Sequence, residues 1–353
     1  MLRSHGGRPP KNVIDFSSPV NPLGPPKALI EIIEKLVGER VYEKYPDYSY
    51  AGLKEAIAYY YNLNPENIIP LNGAAEGLNL MLSTLKPKHL ITVEPTFGDH
   101  RLTSKALGMN WITIPYTLEG VEYKFNPEAF CSLPGELREN SLILMSNPNN
   151  PTGSLTRRSL VEALVGCLGR GSTLVIDEAF SEFTRDSESL LGAGFDNIIV
   201  LRSFTKIMAI PGLRSGFMYV PNARICGVVD AVRQPWNVNI IVSTALTELL
   251  SEKSLLKAFI NETVEFIEAE RGFLASKIKA LGLQVYNSKA PFILIRHGEP
   301  HPEFNNKLIA RGVYVRDASS FAYLTPYHSR VTVRTRRENL RFLNALGDVV
   351  GGY

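Results

Sequence analysis

The sequence is short of the features that mark specialised protein classes. It has three cysteines, Cys131, Cys167 and Cys226, far apart and without a Cys-x-x-Cys pair or a His/Cys cluster. That usage argues for a reducing compartment and against a disulfide framework or a structural zinc, so no metal is expected. No apolar run approaches the roughly 20 residues that span a bilayer. The first ten residues lack the apolar stretch of a signal peptide, so a cytoplasmic location and no membrane partner are expected. A dominant charge is missing too. Thirty-eight Lys and Arg against 35 Asp and Glu leave a formal charge of +3, and the basic residues are scattered, which argues against a nucleic-acid surface. No glycine-rich dinucleotide fingerprint follows an apolar run, which lowers the case for a nicotinamide enzyme. Internal repeats and low-complexity segments are absent.

What is present suits an ordinary globular chain: 353 residues, 44% hydrophobic and 21% charged. That length suggests two domains sharing a cleft. The middle of the chain alternates short apolar runs with stretches of helical spacing. Strands are expected at 67–71, 89–93, 141–145, 173–176, 197–201 and 216–220, with helices at about 74–85 and 158–168. Runs without clean alternation, separated by helices, indicate a mostly parallel sheet buried on both faces. From about Val242 the texture changes. A long helical pattern reaches Leu281, followed by strands at 284–286, 292–296, 313–316 and 330–334 and a final helix from Arg337 to about Val349. The expected division is a large domain over 40–240 and a smaller α+β domain from 1–39 and 241–353.

In parallel sheets ligands bind beyond the carboxyl ends of the strands. Asn147, Asp177 and Lys206 fall at the ends of separate apolar runs, in Asn147-Pro-Asn-Asn-Pro-Thr-Gly153, Val175-Ile-Asp-Glu-Ala-Phe180 and Leu201-Arg-Ser-Phe-Thr-Lys206. A lysine alone is an ordinary surface charge. With an aspartate and an amide-rich turn it fits a site that holds an aldehyde cofactor as a Schiff base. Asp177 could be a cap or a core ion pair, but beside Lys206 it suits a protonated ring nitrogen. Asn150 can donate to a phenolate oxygen, and Phe97 can stack on a ring. Ala74, Ala75 and Glu76 open a helix whose free N–H groups favour an anion. Ser203, Thr205 and Arg214 add hydroxyls and a bidentate guanidinium.

These segments resemble the fold-type I pyridoxal 5'-phosphate enzymes of the class I/II aminotransferase superfamily, over nearly the whole chain. The resemblance implies an α/β fold in which a large domain carries a mostly parallel seven-stranded sheet between helices, beside a smaller α+β domain. It implies Lys206 as the Schiff-base lysine and Asp177 as partner of the pyridine nitrogen. Ala75, Glu76, Ser203, Thr205 and Arg214 are then the cofactor-phosphate residues. Tyr45 would reach the cofactor phosphate of a neighbouring subunit, implying a homodimer. Arg316 and Arg330 would grip the anionic groups of a small phosphorylated amino-acid substrate, with Asn21 and Asn150 nearby and His5 closing over its phosphate. Arg334 and Arg336 are read as solvated charges at a helix start.

Within that superfamily two activities compete. His5-Gly-Gly7, Asp15-Phe-Ser-Ser-Pro-Val-Asn-Pro-Leu-Gly24 and Gln234-Pro-Trp-Asn-Val-Asn239 are similar to the threonine-phosphate decarboxylase pattern, and Phe180 stands where the histidinol-phosphate aminotransferases usually carry tyrosine. Decarboxylation is therefore expected, with the aminotransferase as alternative. Pro19 departs from the pattern, which often has asparagine there, and removes one side-chain contact expected near the substrate. A non-catalytic effector-binding module of this fold is disfavoured by the intact Lys206.

Overall fold

Alternate residues of the same apolar runs feed two separate cores, and this makes the central sheet. Leu142, Leu144, Val175, Ile199 and Leu201 pack into one cluster with Met81 and Leu82 of the helix Ala74–Leu85. Ile143, Met145, Leu174, Ile176 and Val200 pack into another with Val161 and Leu164 of the helix Arg158–Gly166. A strand with apolar side chains on both faces must be covered on both, which only a helix–sheet–helix sandwich provides. The computed structural model describes residues 6–97, 99–186 and 188–351.

The sheet has seven strands in the order Ile68–Leu71, Gly216–Tyr219, Ile198–Ser203, Thr173–Asp177, Ser141–Ser146, His89–Glu94 and Asn110–Pro115. Gly216–Tyr219 runs antiparallel to both neighbours, and the remaining pairings are parallel. This is the α/β architecture expected from the sequence. Asn110–Pro115 was not read as a strand. It is a half-exposed edge, polar at intervals and ended by proline.

The carboxyl-terminal part forms a four-stranded antiparallel sheet ordered Gln284–Val285, Phe292–Arg296, His328–Thr332 and Arg316–Asp317. The helices Lys253–Ala280 and Arg336–Val350 bury Leu274, Ile278, Phe342 and Leu346 in the core cluster that also holds Phe292, Ile293 and Val331 of this sheet. A reciprocal capping box of Thr335 and Glu338 starts the last helix. Ile14–Asp15 pairs in parallel with Val313–Tyr314, joining the amino-terminal segment to this unit. The two parts of the chain also meet at the turn that carries Asn150. Lys289 N–H donates to Gly153 O at 2.7 Å, and a Cβ on Gly153, whose φ is +74°, would collide with Ser288 Oγ.

Several expectations are corrected. The helical pattern from Val242 to Leu281 is two helices, Ile240–Ser251 and Lys253–Ala280, because Glu252 between them takes a non-helical ψ of 57°. The run 313–316 splits: Val313–Tyr314 pairs with the amino-terminal segment, and Arg316 belongs to the four-stranded sheet. Cys131 and Cys167 form a disulfide, contrary to the expectation drawn from their odd number and wide spacing. The helix Glu128–Cys131 packs on Arg158–Gly166, and this brings the two Cα atoms to 5.3 Å across 36 residues of sequence. Arg138 bridges the same two segments through Leu133 O and Cys167 O. Cys226 is free and buried. Among the described residues no helix is long and apolar enough to cross a membrane, and no cluster of His, Cys, Asp or Glu could hold a metal ion.

Candidate cofactor and substrate site

Asp177 ends its strand between Ser146 and Leu201 on the neighbouring strands. Its Oδ1 accepts from Ala179 N–H at 3.0 Å. Burial pushes the carboxyl up to about 6, helped by Glu178 and opposed by that N–H and by Lys206. Lys206 lies one turn beyond the strand Ile198–Ser203, in the short helix Phe204–Ile207. Burial pushes its ammonium down to about 8. Arg330 and Arg214 push the same way, against Asp177 and Asp15. The strand ends therefore present a carboxylate and an amine, each displaced toward its neutral form and each in the other's field.

The loop after Lys206 turns back through two left-handed residues, Ala209 (φ 52°) and Arg214 (φ 58°). Non-glycine residues hold such angles only where the surroundings impose them. Here Phe204 N–H, Thr205 N–H and Thr205 Oγ1 all converge on Ser215 O, at 3.1, 3.3 and 3.1 Å. The result lays the Arg214 guanidinium over Gly73, where any Cβ would collide with it. Gly73 precedes the helix Ala74–Leu85, whose first N–H groups have no intrahelical acceptor. Among the described residues no carboxylate pairs with Arg214, and Ser215 Oγ is buried without a partner. A guanidinium and a helix start thus meet at one spot. The buried Ser203 and Thr205 lie on the same strand-to-helix junction.

Glu76 contributes differently from the sequence reading. Its carboxylate accepts from Asn72 N–H at 2.6 Å and from Asn237 Nδ2 at 2.8 Å, so it locks the turn that precedes the helix. Phe97, Ala74, Ala75, Ser146 and Asp177 line one cavity. Asn150 is fixed beside it. Its N–H donates to Ser146 Oγ at 3.2 Å and its Oδ1 accepts from Arg330 Nη1, while its Nδ2 has no partner among the described residues. Phe180 is buried edge-to-face on Phe292.

Arg316 and Arg330 stand directly opposite each other on adjacent strands. Arg330 also donates to Ser17 O at 2.7 Å, and its Nε is buried with no partner. Arg316 donates to Ser320 Oγ at 2.8 Å and lies over the Phe321 ring. Burial lowers both guanidinium pKa values, and for Arg330 the next cause is Arg316 itself. Like charges opposite one another repel, and an anion bound between them would offset that repulsion.

Two other candidates are placed elsewhere. Asn21 is buried, and its amide donates to Ile207 O and Thr263 Oγ1, both at 2.9 Å, tying the amino-terminal segment to the lysine turn. Tyr45 is exposed and packs on Trp236, 4.6 Å between ring centroids, away from its own chain's cavity. His5 lies outside the described residues. Arg334 and Arg336 are not freely solvated: Arg334 reaches Asp15 O and Glu338, and Arg336 pairs with Glu270. The sequence reading missed Asp15 and Ser17. Asp15 acts electrostatically on Lys206 and Arg330, and its Oδ1 accepts from Ser17 N–H at 2.7 Å. Neither residue carries a recognisable spacing signal.

With this geometry in place, the comparisons with known proteins are specific. The family model described as "Aminotransferase class I and II" matches residues 11–346. The chain is 29% identical over 348 residues to a histidinol-phosphate aminotransferase of Moorella thermoacetica, covering 96% of this chain and 86% of that one. It is 28% identical over 356 residues to the threonine-phosphate decarboxylase of Salmonella typhimurium, covering 98% and 93%. The crystal structure of the histidinol-phosphate aminotransferase from Clostridium acetobutylicum superposes with a TM-score of 0.85 at 26% identity, over 96% of this chain and 99% of that one.

Proposed function

The chain belongs to the aminotransferase class I and II family, which depends on pyridoxal 5'-phosphate, and from that premise we propose that it decarboxylates L-threonine O-3-phosphate to (R)-1-aminopropan-2-yl phosphate in cobalamin biosynthesis. The residues present suit the cofactor. Arg214, the N–H groups of Ala74 and Ala75, Ser203 and Thr205 would hold its phosphate, with Glu76 bracing the turn beneath. Lys206 would anchor its aldehyde, Asp177 would face its ring nitrogen, Phe97 would stack on the ring and Asn150 Nδ2 would donate to the ring oxygen. When bound, pyridoxal phosphate supplies an aldehyde that condenses with amines and a cationic ring that accepts the electron pair released at Cα.

The observation that carries the choice of substrate is the in-register pair Arg316 and Arg330. A substrate with a carboxylate and a phosphate on neighbouring carbons brings two anions to two facing cations. Held at both ends by Arg316 and Arg330, it would be oriented for loss of its carboxylate rather than of the Cα proton. Loss of carbon dioxide would leave its electron pair at Cα, and Lys206 in its ammonium form, with a pKa lowered to about 8 that makes it a readier acid than an ordinary lysine, would return a proton there. Phe180 in the place of a tyrosine leaves Asn150 as the main donor to the ring oxygen. Tyr45, turned outward beside Trp236, suits a homodimer in which it completes the neighbouring site. The other reading is histidinol-phosphate aminotransferase, a name borne by relatives of equal similarity. The two are separated by offering O-phosphothreonine without 2-oxoglutarate. Release of carbon dioxide supports the decarboxylase, and amino transfer that requires 2-oxoglutarate refutes it.

A further inference from the structure

Two consecutive carboxylates close the central strand of the large sheet, and strand alternation sends them to opposite sides. Asp177 lines the cavity that holds Phe97, whereas Glu178 turns to the rear. The neighbouring strand does the same one position on: Leu201 lines the front cavity and Arg202 the rear one. Because Asp177 pairs with Leu201 across the ladder, Glu178 and Arg202 fall side by side. Arg202 Nη2 lies 2.9 Å from Glu178 Oε2, with both side chains buried. Glu178 accepts further bonds from Ser189 Oγ at 2.7 Å and Leu190 N–H at 2.9 Å. Arg202 also donates to Ser181 Oγ, and its guanidinium lies 5.5 Å from the Tyr61 ring centroid. Glu182 is a third carboxylate close by, half-buried and bonded by Tyr61 OH.

The charge balance is then uneven. Asp177 faces Glu178 and Lys206, and Arg202 faces Glu178, Glu182, Tyr60 and Tyr61. Glu182 in turn faces Arg202, Tyr61 and Glu178. Three carboxylates share two cations, and Arg202 is the cation paired with Glu178. We propose that Arg202 is a positioning residue for Asp177: by neutralising Glu178 from the rear of the sheet, it lets Asp177 face the cofactor ring as an anion although a second carboxylate follows it directly. This rests on the Asp177 role proposed above and is independent of which reaction the enzyme catalyses. A bare Glu178 behind Asp177 would favour the protonated form of Asp177 and weaken its hold on a ring N–H.

The test uses holoenzyme loaded with pyridoxal phosphate labelled at the ring nitrogen, whose NMR shift reports protonation across a pH series. Cofactor affinity is measured in parallel by equilibrium dialysis. Arg202→Met is expected to lower the pH at which the ring nitrogen loses its proton by about one unit and to weaken affinity about tenfold. Glu178→Gln/Arg202→Met is expected to return both to within about twofold of wild type, which a purely packing role for Arg202 would not produce. Should Arg202→Met fail to fold, Glu178→Gln alone keeps Arg202 and should move the ring titration to higher pH. Wild-type values in Arg202→Met, a double variant as impaired as the single, or an unmoved Glu178→Gln would each overturn the proposal. A ring nitrogen already unprotonated in wild-type enzyme at neutral pH would instead strike the Asp177 reading.

Discussion

The two ends of the site handle charge in opposite ways. At the large sheet, opposite charges are matched: Lys206 works against Asp177, and Arg202 pairs with Glu178. At the small sheet, Arg316 and Arg330 oppose each other in register, and burial lowers both. The first pattern suits a resident group, whose place must be stable at all times. The second suits a transient anion, which would offset the repulsion between the two facing cations when it arrives.

Variants can break this contrast, and the largest effect belongs to the amine. Lys206→Ala should abolish covalent trapping of the cofactor by borohydride and lower turnover by at least about a thousandfold. Next comes the small sheet. Arg330→Ala should reduce kcat/KM for O-phosphothreonine by about a hundredfold or more while leaving the visible cofactor band in place, and Arg330→Lys should recover only part. A lost band would mean that the two ends are not separable, since Arg330 also holds Asn150.

A third variant reverses sign between stability and function. The Asp177 carboxyl rises from 3.8 to about 6 on folding, so between those values the folded chain binds more protons than the unfolded one. Stability without cofactor therefore falls as pH rises through that window and stays lower above it. Asp177→Asn should raise apoprotein stability by about 1–3 kcal/mol at neutral pH, with the gain vanishing below pH 4, while cofactor affinity drops. Thermal melts across pH check the sign. The smallest effect is kinetic. Because only the neutral amine attacks an aldehyde, cofactor capture should quicken about tenfold per unit up to pH 8 and then level off. Stopped-flow mixing of apoprotein with pyridoxal phosphate reads this directly.

Legibility from sequence followed the same division. Asp177, Lys206 and the Asn150 turn were readable because each sits where a fully apolar run stops, and in parallel sheets that is where ligands lie. Asn110–Pro115 escaped because an exposed edge strand needs no such run. Cys131 and Cys167 escaped because their meeting depends on how two helices pack, which no local pattern records. The same applies to Asn21, whose amide is spent on Ile207 O and Thr263 Oγ1, and to Arg202, one residue among many until its ladder register put it beside Glu178.

The seam at Gly153 carries a practical consequence. Since Ser288 fills the volume any side chain there would need, and Lys289 N–H is bonded to Gly153 O, the turn that carries Asn150 is set from outside its own half. Cutting the polypeptide after the last strand of the big sheet would not yield a minimal cofactor module. Such a fragment would forfeit both the wedge that shapes this bend and the guanidinium that orients Asn150, leaving a docking place with one wall unhinged.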